Sequence, residues 1–178
     1  MLGLQGKVAF VFGVASEDSI AWAICQSLAE AGVTLYLGYQ KRFMSRVFQL
    51  KDKLPAIAGF YPLDVASDDD TKEFFDSFSK ENPGIKADIL IHAIGFAPRE
   101  CFDRPILFVD DESINTAYTI SANSLQRCLK FALPHLNRPN HRGRQSRGRL
   151  RNFVRFVLLE SPLSSSTFLQ PYSPSYRL

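Results

Sequence analysis

Cysteine is scarce in this sequence: Cys25, Cys101 and Cys128 stand far apart along 178 residues. An odd number at such wide spacings argues against a disulfide framework or a cysteine metal site, and suits reduced thiols in a cytoplasmic setting. Long apolar runs are missing too, and none reaches the roughly 18 residues that a membrane span needs. The N-terminal stretch MLGLQGKVAFVFGV enters a strand pattern without a charged region followed by a cleavage site, so a secretory leader is not expected. Lysine is absent beyond Lys130. Glycine is thin in one informative place, since the next one after Gly13 is Gly32.

Charge is unevenly spread. Residues 1–137 carry 13 lysines and arginines against 17 acids, a balance of −4. Residues 138–178 carry 8 arginines, no lysine and the single acid Glu160, a balance of +7. These sum to the net charge of +3, and the two parts read as different kinds of polypeptide.

What the first part contains is an alternation of apolar runs and amphipathic stretches. KVAFVFG (7–13), VTLYLGY (33–39), AIAGFYPLDV (56–65) and ADILIHAIG (87–95) have the continuous apolar character of strands buried on both faces. Between them, Ser19 caps a helix carrying Ile20, Ile24 and Leu28 and ending at Gly32, and a second helix is expected over 41–54. A third spans 68–81, with three acids at its start and Phe74, Phe75 and Phe78 as its buried stripe. A long helix is expected over 112–136, with Leu125, Leu129, Ala132 and Leu136 on one side. Four βα units in succession predict an α/β, Rossmann-like doubly wound parallel sheet, truncated after the fourth unit. In such sheets ligands bind beyond the carboxyl ends of the strands.

The strand ends therefore carry the candidate chemistry. Gly13 lets the backbone turn closely around a ligand, and the helix start near Ser19 offers unpaired N–H groups and a hydroxyl donor to a phosphate. Taken alone, that turn fits an ordinary capped strand–helix connection equally well. The second strand ends in YQKR, the third in LDV and the fourth in HAIGFAP. Asp64 is placed to accept from an adenine amino group, or simply to cap a strand end, while Val65 can cover the ring. Gly95 removes bulk where a ribose and nicotinamide would pass. His92 reads as a core or strand-end histidine, and His135 and His141 have no partners at metal-ligand spacing.

The stretches GVASEDSIAWAICQSLAEAG, YQ, LDV, IHAIGFAP and ISANSL resemble the NADH-dependent enoyl-(acyl-carrier-protein) reductases of type II fatty acid synthesis. These are divergent short-chain dehydrogenases/reductases, and the resemblance covers residues 1 to about 137. Ordinary members have Gly-x-x-x-Gly-Ile-Gly in the first turn; the reductases have a turn two residues longer, closing in Ser-Ile-Ala. Here five residues separate Gly13 from Ser19-Ile20-Ala21.

The resemblance implies that Gly13, Ser19 and Ile20 hold the pyrophosphate side of NADH, with Gln40 near the adenosine ribose. It further implies Asp64, Val65 and Ile120 around adenine, Ile94 and Gly95 along the path to the nicotinamide, and Phe96 and Ala97 beside the acyl substrate. An enoyl-acyl carrier protein would be the substrate, and the family is homotetrameric. Lys41 and Arg42 keep NADPH open, since they could meet a 2′-phosphate, or they could be a solvated helix start.

Catalysis in the family also needs Tyr-x6-Lys, whose tyrosine stabilises an enolate and whose lysine binds the nicotinamide ribose. No lysine of this sequence stands seven residues after a tyrosine, and the ordinary Tyr-x3-Lys spacing is absent as well. Tyr172 and Tyr176 have no lysine partner. The expectation is an incomplete dinucleotide-binding domain over 1–137 with little or no turnover. Residues 138–178 are expected to be a basic, Ser/Pro-rich tail, poorly ordered and of the kind produced by translation out of frame. Two alternatives remain: another short-chain dehydrogenase/reductase, or a non-catalytic module whose tail binds nucleic acid or carrier protein. HRGRQSRGRLR fits the second in charge but lacks any aromatic stacking pattern.

Overall fold

The computed structural model describes residues 3–137. The basic segment 138–178, with His141, Tyr172 and Tyr176, lies outside the described residues. Four strands, β1 (Val8–Phe12), β2 (Thr34–Tyr39), β3 (Ile57–Pro62) and β4 (Ile89–His92), form a parallel sheet in the order β3-β2-β1-β4. β1 pairs with β2 from Val8↔Thr34 to Phe12↔Gly38, and with β4 from Ala9↔Ile89 to Phe12↔His92. The chain winds outward from β1 to β3 and then crosses back to β4. Strand order thus reverses between β1 and β4, where a crevice opens beyond the carboxyl ends. The α/β, Rossmann-like class expected from the sequence is the fold observed.

The α-helices are α1 (Ile20–Glu30), α2 (Met44–Gln49), α3 (Asp68–Glu81), α4 (Glu100–Asp103), α5 (Asp111–Tyr118) and α6 (Ser124–Ala132). Alternation along β1 explains how they divide between the faces. Phe10 and Phe12 belong to a core shared with Phe74, Phe75 and Phe78 of α3 and with Cys128 and Ala132 of α6. Ala9 and Val11 belong to the opposite core, with Ala21, Trp22 and Cys25 of α1 and Leu50 after α2. The ring of Phe10 meets those of Phe74, Phe75 and Phe78 edge-on at 5.7, 5.4 and 4.8 Å, an arrangement favoured by the aromatic quadrupole.

Two expected helices need correction, and one helix buries a face of its own. The helix anticipated over 41–54 is broken into a 3₁₀ turn at Lys41–Phe43, the short α2, and a second 3₁₀ turn at Lys51–Lys53. Only Val47 and Leu50 are buried there, too small an apolar face to hold one long helix. The buried face of α1 is Ala21, Trp22 and Cys25, with Ile24 and Leu28 packed at its margin; the large indole takes a sheet-facing place. The long helix at 112–136 starts at Asp111, passes through a π-helical turn at Thr119–Asn123 and ends in a 3₁₀ turn at Leu133–His135. Asp110 caps its start, accepting the Ser113 N–H at 2.8 Å.

Beyond α6 the chain returns beside β4. Leu136 bridges Ala87 in parallel sense, and the Asn137 N–H donates to the Ala87 carbonyl at 2.8 Å. Among the described residues, β4 itself pairs only with β1. No described helix is long and apolar enough to cross a membrane.

Candidate functional site

Gly13 turns the chain out of β1 with φ +103°, a conformation open to glycine. A Cβ there would stand 2.0 Å from the Ala93 carbonyl oxygen. The exits of β1 and β4 are therefore in backbone contact, and the space above them is enclosed by the turn that follows. Ser19 caps α1 as expected: its hydroxyl oxygen accepts the Trp22 N–H at 3.2 Å. Its proton, however, is donated to the Ser16 carbonyl at 2.7 Å. The Ser19 hydroxyl thus bonds within the turn at the edge of the space that follows β1. The N–H groups of Ile20 and Ala21 have no backbone acceptor among the described residues, and they stand at the positive end of α1.

A cavity of about 240 Å³ lies over this turn. Gly13, Ser19 and Ile20 form one wall, Gln40 and Val65 another from the ends of β2 and β3, and Ile94, Gly95 and Phe96 a third after β4. Ile120 enters from the π-helical turn. The structure thus brings together nine of the eleven residues expected to form a site. Asp64 and Ala97 stand apart from this cavity. Asp64 is exposed, accepts the Ala66 N–H at 3.0 Å and lines an adjoining hollow that shares Gln40, Arg42 and Leu63 with the cavity. Ala97 lines neither hollow.

Several lining residues escaped the sequence reading. Gly38 was legible, because a glycine inside a strand marks a close approach; a Cβ would meet Leu63 at 2.6 Å and Phe12 at 2.7 Å. Arg42 lies over the Phe43 ring at 4.7 Å, with no carboxylate in ion-pair contact among the described residues. Lys41 instead reaches Asp70 at 3.9 Å. Arg127 of α6 donates to the Val65 carbonyl at 2.6 Å and pairs with Asp68, tying α6 to the end of β3. No local pattern announces that tie, since 62 residues separate its ends.

Among the described residues, Arg42 is the one ionisable side chain lining the cavity. Among the described residues, the buried thiols, the Tyr61 phenol and the His92 imidazole lie elsewhere. Burial pushes the Cys25 and Cys128 thiols up to about 12. Burial, aided by the Glu81 carboxylate, raises the Tyr61 phenol to about 12, and its hydroxyl bonds Glu81 at 2.9 Å inside the aromatic core. His92 ends β4, almost fully buried, and burial lowers its pKa. The arrangement presents backbone N–H groups and apolar walls, which can hold a ligand but supply no buried acid or base among the described residues.

A family model described as enoyl-(acyl carrier protein) reductase matches residues 13–144. The chain belongs to that family. The enoyl-acyl-carrier-protein reductase (NADH) of Neisseria meningitidis serogroup B is 38% identical over 145 residues, covering 80% of this chain and 52% of that protein. Its counterpart in Synechocystis sp. is 37% identical over 139 residues, covering 75% and 52%. Among solved structures, the Bacillus cereus enoyl-acyl carrier protein reductase with NADP⁺ and indole naphthyridinone superposes with TM-score 0.71. It is 31% identical, across 76% of this chain and 53% of that one. The Aquifex aeolicus reductase (NADH) gives 0.69 at 32% identity, across 75% and 57%. This reductase-family chain spans about half the length of the curated relatives it matches.

Proposed function

We propose that residues 1–137 are the coenzyme-binding part of an enoyl-acyl-carrier-protein reductase, and that the 178-residue chain binds NADH with little or no turnover. The observation that carries this reading is the cavity at the β1/β4 reversal, floored by the contact of Gly13 with Ala93. A backbone approach with no room for a Cβ, under two unengaged amides at a helix start, fits a pyrophosphate. In this reading the Ile20 and Ala21 amides meet the phosphates, Gln40 and Val65 border the adenosine, and Ile94 and Gly95 border the nicotinamide. Ile120 closes the cavity from above. Asp64 reaches adenine from the adjoining hollow, and Phe96 and Ala97 flank the acyl chain of an enoyl-acyl carrier protein in the cytoplasm.

NADH held in this cavity would supply hydride chemistry at the carbon β to a thioester carbonyl, and the residues that would hold it are those lining the β1/β4 reversal. The oxyanion that results needs a donor fixed in advance. The 178 residues contain no Tyr-x6-Lys pair to provide it, and Arg42 is the one ionisable residue that lines the cavity.

NADH is supported by the names of the Neisseria and Synechocystis relatives. A second coenzyme, NADPH, is favoured by a specific observation: Arg42 lines the cavity beside Gln40 without a carboxylate partner among the described residues. The Bacillus cereus relative was solved with NADP⁺.

The test is a fluorescence titration of NADH into the purified chain, followed by an assay of crotonyl thioester-dependent NADH oxidation. Saturable binding with negligible oxidation is expected. Robust oxidation would contradict the claim about turnover, and no binding would remove the coenzyme assignment.

A further inference from the structure

In the loop leaving β4, one hydroxyl holds the Phe96 peptide among the described residues. From Ile94 to Ala97, the hydrogen bonds found among the described residues are two, both with Ser121 of the π-helical turn. The Phe96 N–H donates to the Ser121 oxygen at 2.9 Å, and the Ser121 hydroxyl donates to the Phe96 carbonyl at 2.8 Å. A serine has one proton and can accept as well as donate, so this pair uses its bonding capacity in the manner of a strand partner.

Three residues further on, a second serine fixes the turn that carries the first. Ser124 is fully buried; its hydroxyl donates to the Ile120 carbonyl at 2.6 Å and lies 2.8 Å from His92 Nε2. Because the Ser124 proton is on Ile120, His92 must donate from Nε2. Its Nδ1 is then the lone pair left buried without a partner. A π-helical turn widens a helix locally and recurs at functional sites. Here the widening offers Ser121 to the loop and Ile120 to the cavity in consecutive positions.

We infer that Ser121 is a positioning residue for the coenzyme cavity, setting where the Gly95–Phe96 wall stands relative to the Gly13 turn. The inference rests on the coenzyme reading, in which that wall borders the nicotinamide half and not the adenosine half. Ser121 touches neither the coenzyme nor the substrate in this account; it acts through the Phe96 peptide.

The experiment compares binding of NADH and of ADP-ribose, which lacks the nicotinamide, to the full chain and its Ser121→Ala and Ser121→Thr variants. Ser121→Ala should weaken NADH roughly tenfold, as expected for losing two hydrogen bonds to a backbone unit. It should leave ADP-ribose within about twofold, since a difference that small is a fraction of a kcal/mol. Ser121→Thr, which keeps the hydroxyl, should restore NADH binding. Retained ADP-ribose binding also shows that the variant is folded, and a purely structural role would move both ligands together. Equal weakening of both ligands, or no weakening of NADH, would overturn the inference while leaving the coenzyme reading intact. If the unaltered chain binds neither ligand, the coenzyme reading fails and this inference falls with it.

Discussion

Gly13 and Ala93 touch backbone to backbone: the Ala93 carbonyl oxygen occupies the place where a Cβ of residue 13 would stand, 2.0 Å away. The β1/β4 reversal, and the cavity above it, depend on that contact. Gly13→Ala must both adopt a positive φ and push β4 aside. A loss of about 2–4 kcal/mol is expected from strain and overpacking together, with NADH binding lost as well. Urea denaturation measures the first and titration the second; an alanine variant of unchanged stability would contradict the geometry.

The aromatic core should be equally sensitive, at a distance from the cavity. Phe78 is fully buried and its ring packs edge-on against both Phe10 and Tyr36, each at 4.8 Å. Phe78→Ala should cost about 3–5 kcal/mol. The same urea series reads it, and a cost under about 1 kcal/mol would show that the site collapses easily.

The sheet and its faces were legible because their signals are local. Apolar runs marked each strand, and Phe74, Phe75 and Phe78 at helical spacing marked α3 with the bounds observed, 68–81. The site was legible to the extent that strand ends define it: Gly13, Gln40, Val65 and Gly95 all line one cavity. What stayed hidden depends on partners far along the chain. The proton of Ser19 goes to Ser16, which only the folded turn reveals. The π-helical turn comes with hydrogen bonds linking Ser124 and Ser121 to His92 and Phe96, 32 and 25 residues away. Asp64 sits at the right strand end, yet its carboxylate bonds the Ala66 amide beside a neighbouring hollow.

Stability should fall on mild acidification. Burial holds His92 below its ordinary value of 6.5, and burial likewise lowers His135. A histidine lowered in the folded state binds its proton more readily when unfolded. Stability from this source is present above the unfolded value and is lost as pH drops through that value toward the folded one. Melting temperature should therefore decline between pH 7 and pH 5, about the range where unfolded histidine titrates. His92→Gln, which cannot titrate, should show a shallower decline; the same decline in both proteins would contradict the assignment to His92.

Coenzyme choice should turn on Arg42. With Arg42 lining the cavity and no carboxylate in ion-pair contact among the described residues, Arg42→Ala should weaken NADPH about tenfold or more, as for loss of a charge-assisted bond. NADH, without the 2′-phosphate, should change by less than about twofold, a fraction of a kcal/mol. Parallel titrations with the two coenzymes measure this, and equal effects on both would exclude Arg42 from discrimination.

A dinucleotide is proposed to lie across the β1/β4 reversal. Hydrogen–deuterium exchange of the purified chain, with and without saturating NADH, tests it most directly. Slowed exchange is expected at the amides from Gly13 to Ala21 and from Ala93 to Phe96, with the helix body of α3 unchanged. Protection absent from both segments, or confined to other parts of the chain, would contradict it.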